Sequence, residues 1–127
     1  MMSTDSASPE DVARYKELFG FRDWDIVVSL SDDPDSEDSG RCFTDPQYQR
    51  ARIILYPEVI LRKAKEYPSE TLKAVMFHEF SEVLVSEFSL ILTKKQRETP
   101  AFTEFCDALA DKIGRLLLTL DNQTSNT

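Results

Sequence analysis

One stretch constrains this chain more than any other: Thr71 to Leu92, TLKAVMFHEFSEVLVSEFSLIL. It holds the only histidine and is apolar around most of its circumference. With His78 at the origin of a wheel turning about 100° per residue, Glu82, Ser86 and Glu79 fall at about 40°, 80° and 100°. Leu72, Met76, Phe77, Phe80, Val83, Leu84 and Phe88 fill the remainder, and Glu87 alone places a charge opposite. A helix this apolar is buried. It must be the element on which the rest of the chain packs, so a tight arc of one imidazole and two carboxylates on it needs a reason.

Two readings of the arc stand side by side. In one it is a solvated face with an ordinary histidine at its rim. In the other, His78-Glu79-Phe80-Ser81-Glu82 is a variant of the helical zinc motif H-E-x-x-H. In that motif, donors at i and i+4 share a face, and the intervening glutamate serves as general base. Glu82 stands where the second histidine would be.

The 127 residues are a single-domain length, and 41% hydrophobic content suits a chain with a closed core. The net charge of −8 argues against nucleic-acid and anionic-membrane partners, both of which need basic patches. Glu79, Glu82 and Glu87 interrupt the best apolar run, so no membrane span is expected. The opening MMSTDSASPED has neither the basic nor the apolar part of a secretion signal. Two cysteines, Cys42 and Cys106, are too few for a disulfide framework. These features predict a cytoplasmic, acidic protein, and they leave its oligomeric state open.

Along the chain, residues 1–7 read as a disordered lead-in and residues 8–120 as one domain. Ser8-Pro9-Glu10-Asp11 starts a helix that stops at Gly20. Trp24 to Leu30 and Arg50 to Tyr56 are strands by their β-branched content and alternation, with a shorter strand over Gly40 to Thr44. The acidic segment Ser31 to Ser39 reads as a solvated loop. A helix runs from Pro57 through Tyr67, Ser69 caps the long helix, and Thr93 to Pro100 is a polar connection. The last helix, Ala101 to Leu120, carries Phe102, Phe105, Ala108, Leu109, Ile113, Leu116, Leu117 and Leu120 at helical spacing, and residues 121–127 read as a disordered tail. This order predicts an α+β fold, a small antiparallel or mixed sheet with helices packed against it. The two main strands should share one sheet, covered by the helix around His78.

Three pieces of this pattern carry a likeness. They are the strand, turn and strand over Gly40 to Tyr56, the phrase LKAVMFHEFSEVL, and Glu104-Phe105-Cys106-Asp107-Ala108-Leu109-Ala110 on the last helix. Together they resemble the small zincin-like metallopeptidases of phages and other mobile elements, themselves distantly similar to SprT-type and ImmA-type zincins. The resemblance implies a minimal zincin-like fold and a zinc cofactor held by His78 and Glu82. It further implies Glu79 as general base, Glu104 or Asp107 closing the site, and a peptide or protein as substrate or partner. A substrate strand could lie along the Arg50–Tyr56 edge.

This chain departs from the family at Glu82, which leaves one nitrogen and two or three oxygens, a harder donor set than catalytic zinc usually has. Cys106, on the last helix, is a candidate replacement donor, with a small buried core residue as its plain alternative. The departure keeps other functions in view. One is a zincin-fold binding protein without catalysis. Another is an acidic mimic of nucleic-acid phosphate.

Overall fold

In the computed structural model, residues 8–33 and 35–125 are described. The expected disordered lead-in over 1–7 lies outside them. Ser8 caps the first helix, α1 (Pro9–Leu18), its hydroxyl accepting from the Asp11 amide at 3.1 Å. Gly20, at φ 81°, ends it in the left-handed conformation that glycine adopts without steric cost. The chain then forms β1 (Asp25–Leu30), β2 (Gly40–Asp45) and β3 (Arg50–Leu55).

β3 is the central strand of a three-stranded mixed sheet ordered β1-β3-β2. It pairs in parallel with β1, Ile26 opposite Ala51, and antiparallel with β2, Cys42 opposite Ile53. Alternation assigns the faces as expected. Ala51, Ile53 and Leu55 are buried, whereas Arg50 and Arg52 are exposed. The central place of β3 corrects one expectation. An incoming strand cannot pair with Arg50–Leu55, because β1 and β2 already occupy both of its edges.

The covering helix is α3 (Leu72–Ser86), which follows the shorter α2 (Pro57–Ala64). Thr71 caps α3, accepting from the Ala74 amide at 3.1 Å, in place of the expected Ser69. Ser69 is instead part of the preceding turn, where its carbonyl accepts from the Thr71 amide. Met76, Phe77, Phe80 and Val83 are fully buried against the sheet. Leu84 packs on the same cluster, so both main strands and this helix share one core as expected. Tyr15, Phe19 and Phe21 bring α1 and its C-terminal turn into that core, and each meets Phe77 or Phe80 ring to ring. α3 ends at Ser86 rather than Leu92. The chain tightens into a 3-10 turn over Glu87–Ile91, which leaves Phe88 and Ile91 exposed.

A short helix, α4 (Lys94–Arg97), sits within the expected polar connection, closed by a reciprocal Thr93–Gln96 capping box. α5 (Pro100–Ser125) then packs onto α3, its main partner among the elements. It runs past Leu120, and Asp121 is buried and bonded to Arg14 at 2.6 Å and Lys73 at 2.7 Å. These two ion pairs hold residues expected to be a disordered tail.

Not all of the helically spaced apolar residues of α5 face inward. Phe105, Leu116 and Leu120 are exposed, while Ala110, Gly114 and Asp121 are buried. The reason is the closeness of the two helices. A Cβ at Gly114 would lie 3.2 Å from His78 Cα, so only small residues fit at the crossing. Among the described residues, no helix is long and apolar enough to cross a membrane.

Candidate metal centre

The arc on α3 opens into a cleft of about 640 Å³ between α3, the start of β2 and α5. Gly40, His78, Glu79, Glu82, Asp111 and Arg115 are among its walls. Glycine at two positions makes the cleft. Gly114 lets α5 approach the backbone of His78, and a Cβ at Gly40 would stand 3.0 Å from Glu79 Oε1 and 3.1 Å from Val75 Cγ1.

His78 is half-buried and lies between two acids. Its Nε2 is 3.1 Å from Glu82 Oε1, the i, i+4 contact expected of one helix face. Its Nδ1 is 3.8 Å from Asp111 Oδ1 on α5, and Arg115 holds that same carboxylate at 2.9 Å. The hydrogen bond to Glu82 raises the pKa of His78, against the opposing effect of burial. The charges of Glu82, Asp111 and Asp107 add to the rise.

Glu79 is only 4% exposed, and its Oε2 is buried without a hydrogen-bond partner. Burial, followed by the charge of Glu82, pushes its pKa up to about 9. Cys42 projects from β2 toward the same acids, and burial pushes its thiol well above the ordinary range. Among the described residues, Cys42, Glu79 and Glu82 form the group able to hold one ion, with a donor atom of each within 4.8 Å of the others.

The α5 candidates separate. Asp107 lines a smaller cavity of about 280 Å³ with Cys42, Glu82 and Cys106. Glu104 is exposed and lines neither cavity. Cys106 is half-buried and stands outside the three-residue group, so the cysteine that reaches the acids is Cys42. Asp111 and Cys42 are the residues that sequence reasoning missed. Alternation along β2 carried the signal for Cys42, which stands between exposed Arg41 and Phe43 and so faces inward. Asp111 needed the phase of α5, which the close crossing with α3 sets.

The donors suit a borderline dication. Cys42 offers sulfur and the two glutamates offer oxygen, while His78 contacts Glu82 but stands outside the group; calcium or magnesium would be expected to gather oxygens alone. The unpartnered Glu79 Oε2 is the kind of group that a cation in the cleft would satisfy. Comparison with protein-family models, curated proteins and solved structures returned no match.

Proposed function

We propose that this chain is a zincin-like domain whose cleft holds zinc and whose activity is peptide-bond hydrolysis. The observation that carries the reading is Glu79. An acid almost fully buried, with one oxygen unpartnered and a second carboxyl beside it, costs stability, and a functional role would account for its presence. Perturbed, desolvated acids concentrate at functional clefts for this reason.

His78 and Glu82, one turn apart on α3, would hold the ion. When bound, zinc supplies the Lewis acidity that polarises a carbonyl. Beside a dication the ionised form of Glu79 is favoured, and Glu79 then accepts the proton of the attacking water. Asp111 faces the other ring nitrogen of His78 at 3.8 Å, and by closing to hydrogen-bond distance it would orient the imidazole as acids behind metal-bound histidines do. Among the described residues β2 has an unpaired edge and begins at the cleft wall, so an extended peptide could add to it beside Glu79. This replaces the Arg50–Leu55 edge as the substrate path.

A second reading, a binding module of the same fold without turnover, is favoured by one observation. Glu79 lies buried beside Glu82, and burial followed by that charge raises its pKa, so a proton in place of a metal can satisfy the acid pair.

Zinc titration by calorimetry, with cleavage of a peptide library, separates the two. For the hydrolase, the wild type binds one zinc per chain and Glu82→Ala loses it. Glu79→Gln keeps zinc and loses about 10²–10⁴-fold in cleavage rate, the usual contribution of a general base. Zinc uptake without cleavage leaves the binding module. No uptake by the wild type discards the motif.

A further inference from the structure

Catalytic zinc is ordinarily held by three protein donors with one position left open. α3 offers His78 and Glu82, and the chain has no second histidine. Cys42 occupies the inward register of β2, opposite buried Ile53, and its Sγ lies within 4.8 Å of carboxylate oxygens of both Glu79 and Glu82. Glu79, 4% exposed and with Oε2 unpartnered, belongs to the same group. A neutral thiol does little for two acids, since S–H is a weak donor. A cation between them would satisfy all three. Glu82 is the shared point, with His78 Nε2 at 3.1 Å and Cys42 in the same group.

We infer that Cys42 Sγ is a metal ligand at this site, joining Glu82, which His78 Nε2 contacts at 3.1 Å although His78 itself lies outside the group of Cys42, Glu79 and Glu82. The inference rests on the metal-site reading above and supplies the donor that the family pattern lacks here. On binding, the S–H bond of Cys42 breaks, the sulfur pair forms the bond to the ion, and the proton passes to solvent. No oxidant or reductant takes part. Glu79 lies in the same group, and the hydrolase reading needs its Oε2 free to take a proton rather than bound to the ion. A sulfur donor also makes the site selective for zinc, cobalt and cadmium over calcium and magnesium.

Cobalt(II) titration of the full chain, followed by absorbance, tests the assignment. Thiolate ligation produces an intense near-ultraviolet charge-transfer band that nitrogen and oxygen donors do not. The expected result is a band that saturates at one cobalt per chain, is bleached by zinc and is untouched by magnesium. Cys42→Ser should abolish it and lower zinc affinity by at least the roughly 10–100-fold seen when supporting residues of a metal site are removed. Cys106→Ser should retain it. Zinc should also protect Cys42 of the wild type from alkylation mapped by mass spectrometry, a readout that needs no variant to fold. Cobalt uptake without the band, or a band that survives Cys42→Ser, overturns Cys42 as ligand while leaving the metal site standing. No uptake of cobalt or zinc by the wild type overturns both.

Discussion

Glu79 is the residue whose environment departs furthest from what its chemistry prefers. Its pKa in the folded chain, about 9, lies above the ordinary carboxyl value, so the metal-free fold binds a proton that the unfolded chain gives up. Its stability contribution is therefore complete below about pH 4.3 and fades as pH rises toward the folded value. His78 acts in the same direction. Its folded pKa is raised, so its contribution is present below about 6.5 and is lost as pH rises through the folded value. Metal-free protein should lose stability steadily from mildly acidic to alkaline pH in urea melts. Glu79→Gln, which keeps the shape and cannot ionise, should flatten that decline. A wild-type profile that rises over the same interval would contradict the burial of Glu79.

Among the elements, α3 and α5 decide whether the cleft exists. Gly114→Ala sets two effects against each other. Helix propensity favours alanine by about 1 kcal/mol, whereas forcing a methyl group into a tight contact costs about 1–3 kcal/mol. The new Cβ would press on His78 Cα at 3.2 Å, which is backbone and cannot rotate away, so the variant should be destabilised. It should also bind zinc more weakly, because α5 and Asp111 move away from His78. Chemical denaturation and calorimetry on one preparation read both effects. Thr71→Ala, which removes the α3 cap, should cost about 1 kcal/mol and leave zinc affinity unchanged. α3 itself was legible in sequence because apolar residues line nearly its whole circumference. The inward face of α5 was not, since its many leucines and phenylalanines allow several phases and the choice fell to Ala110 and Gly114.

Asp121 ties the molecule together, joining the end of α5 to Arg14 on α1 and Lys73 on α3. The hydrogen bond from Arg14 lowers its pKa, helped by Lys73. The sign is opposite to that of Glu79. A depressed folded pKa contributes stability above the ordinary carboxyl value, and that contribution is lost as pH falls through the folded value. Asp121→Ala should destabilise the protein by about 1–3 kcal/mol at neutral pH and reduce its sensitivity to acid below about pH 4. Thermal melts of the two proteins across that interval give the comparison. An unchanged neutral melting temperature would mean that the two cations find other partners.

Much of this protein was determined by sequence alone, because the signals were local. Periodicity marked α3 and the faces of β3, the Ser8-Pro9 pair marked the start of α1, and i, i+4 spacing placed His78 beside Glu82. Tertiary structure decided what depends on two distant segments meeting. It made β3 central by pairing β1 with it in parallel, and it held Asp121 in helix through ion pairs more than forty residues away in sequence. It also brought Cys42, thirty-seven residues before Glu79, against the acids of α3 and left Glu104 in solvent. The motif named the helix that carries the site. Which residues face it was settled by packing, since two helices cross closely only where their side chains are small.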